Sequence, residues 1–396
     1  MVLKIFRGPL RYVQGPDALL QIGEQLQFLG IKKPLILASP SAKRVAGQTL
    51  LQGLNAQGIS HAFIDFGGQS SFKEIERIKR ACIDGGHDAV INFGGGKVID
   101  AGRAAATGPA TNVHKTPPEF HPQFGAGVAC INVPTVAATD GATSASALVY
   151  SDKGTVEALL KFPTNPTMVF VDTTVIAKSP VRLFVAGLGD SLTTHFEADM
   201  SYRTSSPSIG TRGLSTYTGR ALAKLCFDLL MEFGVQAKHE VESGIPGPGI
   251  EAVAEASVLL SGLGFENCGL SAAHAVSHAF DHIPEQFEVK RFHGENSGFG
   301  TLVQLLLEER KPEFLDKIFG FCKAVGLATT FEEMTLKNVT EELLEKLADL
   351  ASRNALIQSM TGARKEPDEQ GRFYDHKKIL YALKATDAYG RAFRTR

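Results

Sequence analysis

The 396-residue chain sets 41 lysines and arginines against 42 aspartates and glutamates, for a formal net charge of -1, with 43% hydrophobic and 21% charged residues. That balance offers no basic footprint to nucleic acid or an anionic membrane, and no run reaches the roughly 18 apolar residues of a membrane span. Five scattered cysteines without a Cys-x-x-Cys pair exclude a disulfide framework and fit a reducing compartment.

Residues 1–15 lack the apolar run and small-residue cleavage site of a signal peptide, so a cytoplasmic enzyme is expected. The length predicts two domains. In the first half, Pro34–Ala38, His61–Phe66, Asp88–Phe93 and Val128–Val133 have strand length, and helical patterns run over Ala42–Gln57 and Ser71–Asp84 between them. Strand, helix, strand in repetition predicts a parallel sheet covered on both faces, with ligands at the carboxyl ends of its strands.

One such end is Gly94-Gly95-Gly96-Lys97-Val98-Ile99-Asp100, ahead of the small-residue helix Ala101–Ala106. Glycines let backbone N–H groups approach a diphosphate, the helix start adds a favourable dipole, and Lys97 adds charge. The pattern is neither the usual Rossmann fingerprint nor an NTPase loop, because Ile99 and Val98 stand where Gly and Ser/Thr are required. It reads as an anion site, with a plain tight turn as the alternative.

Thr107–Gly127, with four prolines, is predicted to be a loop. Pro134–Ser144 follows the fourth strand and is dense in hydroxyls around Asp140, which suits a polyhydroxylated ligand or a ribose, or else a solvated turn. Ser146–Tyr150 and Met168–Val171 look like further strands.

From Ser179-Pro180 onward helical spacing takes over: 182–200, 213–233, 250–263, 270–280, 301–309, 313–325, 340–351 and 377–391. The expected organisation is an α/β domain over residues 1–179 and an all-helical one over 180–396. In the latter, His274 and His278 stand four residues apart, on one helix face, with His293 beyond and Asp190 in Gly187-Leu188-Gly189-Asp190 before them. Two imidazoles and a carboxylate suit zinc or ferrous iron with coordination positions left open. The competing reading is hydrogen-bonded core histidines; Ala275 rules out the His-Glu-x-x-His pattern of a metalloprotease.

In order along the chain, Gly94-Gly95-Gly96-Lys97-x-x-Asp100, Pro134-Thr135 with Thr139-Asp140, Asn165-Pro166, Val171-Asp172-Thr173 and Val185–Asp190 resemble the glycerol dehydrogenases of the iron-containing (group III) alcohol dehydrogenase superfamily. Leu259–Glu266, Ala272–Ala275, His293-Gly294-Glu295 and Phe299–Leu302 extend the likeness, as does Tyr12–Gly15. The resemblance implies a Rossmann-like, dehydroquinate-synthase-like α/β domain followed by a helical metal-binding domain. It also implies a homo-oligomer, often an octamer.

The resemblance further implies that Asp190, His274 and His293 hold zinc, or iron as in relatives, and that Gly95, Gly96 and Lys97 hold the diphosphate of NAD. Asp100, Thr135, Ser144 and Tyr150 would lie along the cofactor, Ser146 through its backbone, while Asp140 would meet substrate hydroxyls. Ser39 stands where the family has an acidic residue for the ribose 2′-hydroxyl, with Lys43 and Arg44 close behind, so NADP becomes credible. The four-residue His274 to His278 spacing resembles the wider superfamily rather than most glycerol dehydrogenases, which have three, and implies that His278 lines the substrate pocket rather than binding metal.

The implied reaction is oxidation of glycerol, or a similar small polyol, to dihydroxyacetone with hydride transfer to the nicotinamide. Two alternatives are a 3-dehydroquinate synthase-like NAD/zinc lyase and a non-catalytic relative. The lyase needs a basic cluster for a phosphate ester, whereas only Lys290 and Arg291 lie near the metal stretches. A relative without catalysis predicts decay of a ligand set that is complete here.

Overall fold

A computed structural model describes residues 3–138, 140–152 and 154–394. The chain divides into two compact units, one formed by residues 7–180 and 239–262, the other by residues 1–6, 181–238 and 263–396.

The first unit carries strands β1 (Arg11–Gly15), β2 (Pro34–Ala38), β3 (Ala62–Asp65), β4 (Ala89–Gly94), β5 (Ala110–Asn112), β6 (Glu119–His121), β7 (Ala129–Pro134), β8 (Ser146–Tyr150), β9 (Val156–Lys161) and β10 (Met168–Asp172). Six of them form a parallel sheet in the order β1-β10-β7-β4-β2-β3. β2 and β4 are buried along their whole lengths, as strands covered on both faces must be, which is why they read as continuous apolar runs. The Pro40–Asn55 helix starts cleanly because Ser39 Oγ accepts the Ala42 N–H and Pro40 has no N–H that needs an acceptor. Ser71 caps Phe72–Asp84 in the same way.

β8 and β9 pair antiparallel with β5 and β6 in a second sheet, β6-β5-β9-β8. Its apolar residues alternate: Ala147, Val149, Ala158 and Leu160 are buried with Ala101, Ala104 and Ala105 of the Gly96–Ala106 helix. The alanines let the sheet come close to that helix. The predicted loop over 107–127 is thus in part a hairpin; strands of three residues separated by prolines are too short to leave a period in the sequence.

The second unit is helical around the Val181–Arg203 helix, most of whose residues are buried, while residues 239–262, expected with the helical stretch 180–396, cluster with the first unit. Among the described residues no helix is long and apolar enough to cross a membrane. All five cysteines are buried, and none is in a disulfide.

Candidate active site

Asp190 and Glu197 lie seven residues apart, on one face of the Val181–Arg203 helix. His274 and His278 share a face of Ala272–Asp281, and His293 opens His293–Leu307. These three helices meet backbone to backbone. A Cβ on Gly189 would stand 2.2 Å from the Gly294 carbonyl oxygen, one on Gly294 1.8 Å from that of Ala186, and one on Gly300 2.2 Å from that of Ala273. No side chain fits at any of the three, and their absence brings the carboxylate and imidazoles together. The start of the His293 helix is fixed by Glu295, whose carboxylate accepts both Arg182 Nε, at 2.7 Å, and the Phe292 N–H, at 2.9 Å.

Asp190 Oδ1 lies 3.7 Å from His274 Nε2 and 3.6 Å from His293 Nε2, and one ligand atom from each residue falls within 4.8 Å of the others. These separations are too long for hydrogen bonds. They suit a cation bound at about 2.1 Å from each ligand, whose neighbouring donors stand roughly 3.4 Å apart in a tetrahedral shell. Asp190 Oδ1 is buried and accepts no hydrogen bond, an arrangement that costs on the order of 1–3 kcal/mol unless something positive fills the gap. The residues fit a divalent ion.

His274 is buried, and its Nδ1 stands 2.6 Å from Oε2 of the fully buried Glu197. Glu197 Oε1 also accepts the backbone N–H groups of Ser271, at 2.8 Å, and of His274, at 2.9 Å. Burial works against an imidazolium at His274, but Glu197 and then Asp190 outweigh it and raise its pKa, so protons compete with a cation here as pH falls. His293 is half-exposed, which leaves the set reachable.

His278 lies beside this group, its ring 6.1 Å from that of His274 and 6.0 Å from that of His293, outside the ligand set. Its Nδ1 is 3.1 Å from Asn354 Nδ2; with that amide as donor, Nε2 carries the proton. Burial, then the charges possible on His293 and His274, push His278 down to about 3, so it is a neutral donor.

In the first unit, Gly94 ends β4 beside Pro134 of β7, and Ser39 follows β2, the neighbour of β4 on its other side. β3 lies outside β2, while β7 and β10 continue beyond β4, so Ser39 and Gly95 flank the point where the winding of the sheet reverses. Gly95 is the N-cap of Gly96–Ala106, and nothing lies within 4 Å of where its Cβ would be. The N–H of Thr135 is bonded to the Gly94 carbonyl at 3.2 Å, and the Lys97 ammonium sits 5.4 Å from the Tyr150 ring centroid. The Asp100 carboxylate accepts the Leu148 N–H; burial pushes its pKa up to about 7 against the pull of Arg103 and that bond.

The sequence reading missed Arg103, which stands among the alanines of the Gly96–Ala106 helix and is almost wholly buried. Its guanidinium bonds the carbonyls of Gly141 and Ser146, and that of Ala142 at 3.3 Å. Asn132 Nδ2 holds Ala142 as well, at 2.6 Å. Arg103 therefore fastens the helix behind the glycine turn to the stretch bearing Asp140, Ser144 and Ser146. Ser144 Oγ bonds the Gly141 carbonyl at 3.3 Å, and Asp140 Oδ2 accepts Ser261 Oγ at 3.1 Å. Thr139, part of the sequence resemblance, lies outside the described residues.

A glycine turn at a strand end and a two-histidine, one-carboxylate set able to hold a divalent ion are features suited to a metal-dependent dehydrogenase. A family model described as iron-containing alcohol dehydrogenase matches residues 9–173. The chain is 35% identical to a glycerol dehydrogenase of Thermotoga maritima, over 97% of this chain and 96% of that one. It belongs to the iron-containing alcohol dehydrogenase family and is an oxidoreductase. Among solved structures it is similar to glycerol dehydrogenase from Schizosaccharomyces pombe, with a TM-score of 0.85 and 28% identity over 100% of this chain and 93% of that one. A probable glycerol dehydrogenase from Sinorhizobium meliloti gives 0.79 and 32%, over 98% and 99%. These relatives give the lyase reading no support.

Proposed function

We propose that the protein catalyses reversible oxidation of glycerol, or a similar small polyol, to dihydroxyacetone, with hydride transfer to NAD and with zinc as the metal. NADP and ferrous iron are the alternatives. The observation that carries the reading is the buried, unbonded Asp190 Oδ1 between two imidazole nitrogens.

Asp190, His274 and His293, from the 180–396 stretch, would hold the cation. Gly95, Gly96 and Lys97 would take the cofactor diphosphate at a helix start, with Asp100, Thr135, Ser144, Ser146 and Tyr150 along the rest, all from the 1–179 stretch. When bound, the cation acts as a Lewis acid that lowers the pKa of the reacting hydroxyl, and the nicotinamide accepts the hydride. Asp140, oriented by Ser261, accepts a hydrogen bond from a further substrate hydroxyl. An analogue without that hydroxyl leaves the carboxylate unpaired and is disfavoured. His278 contributes an N–H donor at Nε2 toward substrate oxygens. Ser39 presents no carboxylate to a 2′-phosphate, yet Asp65, 2.6 Å from Lys43 Nζ, stands at the end of the neighbouring β3, which keeps NAD the first choice. The buried cysteines, none in a disulfide, suit a cytoplasmic enzyme, and the family resemblance suggests a homo-oligomer, the octamer being the expected form.

Steady-state assays with glycerol and each of NAD and NADP, paired with metal analysis, test the reading. His274→Ala is expected to lose both bound metal and activity; an active, metal-replete variant removes His274 from the ligand set. Asp140→Ala should raise KM for glycerol far more than for a simple diol, and equal effects on the two overturn its role.

A further inference from the structure

The cap on the Ala272–Asp281 helix is unusual in its source. The N–H groups that open a helix are commonly met by a nearby serine, threonine or aspartate. Here Ser271 makes no such bond with its side chain, and the acceptor comes from another helix, 74 residues earlier. One carboxylate oxygen of Glu197 takes the N–H groups of Ser271 and His274, and the other takes His274 Nδ1 at 2.6 Å. A carboxylate offers only lone pairs, so the hydrogen between Glu197 and the ring belongs to Nδ1. In the neutral ring the other nitrogen, 3.7 Å from Asp190 Oδ1 and too far to donate to it, then carries the lone pair.

We infer that Glu197 is a positioning residue that locks His274 in the ligating tautomer while holding the helix start that aims it. The inference rests on the metal reading above. It goes further by making metal affinity depend on a buried residue that touches neither ion nor substrate.

Glu197→Gln separates the two roles. Its amide oxygen can still accept both backbone N–H groups, which leaves the amide nitrogen, a donor, against His274 Nδ1. The ring must answer by accepting at Nδ1 and carrying its hydrogen on Nε2, where it faces Asp190 and closes the gap. The full-length protein, stripped of metal, is titrated with zinc against a zinc-indicator dye, alongside Glu197→Gln and Glu197→Asp. The expected result is a Kd for zinc raised 10–100-fold in Glu197→Gln, with the Tm of the metal-free protein within a few degrees of wild type. Glu197→Asp, which is shorter but keeps the acceptor, should fall between the two.

A residue that only fills space predicts the reverse order, because glutamine is the closer match in shape. That order, or zinc binding by Glu197→Gln as tight as wild type, overturns the inference and leaves the metal reading standing. Wild-type protein that takes up no zinc overturns both. If Glu197→Gln fails to fold, the Glu197→Asp affinity decides: zinc binding closer to wild type than that of Glu197→Ala supports the inference, and equal loss in the two overturns it.

Discussion

On the proposed reading, the glycine turn and the metal set solve one problem, holding a charged ligand, by opposite means. The turn is built from backbone: seven consecutive residues at a strand end present N–H groups at a helix start, and the side chains behind it, Arg103 and Asn132, act on carbonyls. The metal set is built from side chains spread over about a hundred residues, and its backbone serves only to let three helices touch. Precision in the first comes from local geometry, and in the second from the crossing of helices at Gly189, Gly294 and Gly300. The first should therefore be damaged by changes behind it, and the second by changes beside it.

The largest expected effect is Gly294→Ala. Its methyl group would lie 1.8 Å from the Ala186 carbonyl oxygen, so the helices must separate, at a cost of about 3 kcal/mol or more. Metal content should fall although every ligand remains, while dinucleotide affinity is kept. A Gly294→Ala protein with wild-type zinc content and Tm would break the comparison.

Next is Arg103→Met, which removes the guanidinium from the Ser146 carbonyl and leaves those of Gly141 and Ala142 to Ser144 and Asn132, and should cost roughly 1–3 kcal/mol. Dinucleotide binding, followed by fluorescence titration, should weaken with zinc content unchanged; loss of zinc instead would show that the two halves do not fail separately.

The smallest net effect is on pH dependence, where one buried group in each unit should act with opposite sign and the two largely offset each other. Burial beside Phe196 and Phe227 pushes His195, in the helical unit, down to about 4, so its contribution is intact above 6.5 and is lost as pH falls from 6.5 toward 4. Asp100, raised to about 7, works the other way: its contribution is intact near pH 4 and declines as pH rises toward 7. Each slope is at most about 1.4 kcal/mol per pH unit. Denaturant titrations of His195→Gln and Asp100→Asn across pH 4–7 should flatten the curve in opposite senses; flattening in the same sense would refute the assignment.

The same contrast decides what could be read in the sequence. The turn was legible because its residues are adjacent and their spacing has a local meaning. The parallel strands were legible because burial on both faces leaves unbroken apolar runs such as Leu35–Ala38. The helix over His293–Leu307 was expected only from Thr301 onward, because Gly294, Gly298 and Gly300 look like breaks. They are places where another helix lies against the backbone, and a sequence does not distinguish the two uses. Glu197 was invisible for a related reason: a lone glutamate on a helix reads as solvated until the histidine it meets, 77 residues later, is known. β5 and β6 were lost to their brevity, and Arg103 because one arginine among alanines carries no spacing that tells a buried cation from a solvated one.

The space beside Gly95 has a practical side. Gly94 and Gly102 are hemmed in by Val98 and Asn92, whereas nothing in the protein lies within 4 Å of where a Cβ on Gly95 would be, which on the proposed reading is room for the cofactor diphosphate. A methyl group there offers a handle for engineering: a molecule that matures, loads its ion and meets alcohol normally, yet has its redox partner held at arm's length. Such a stalled form would allow the alcohol complex to be studied without turnover.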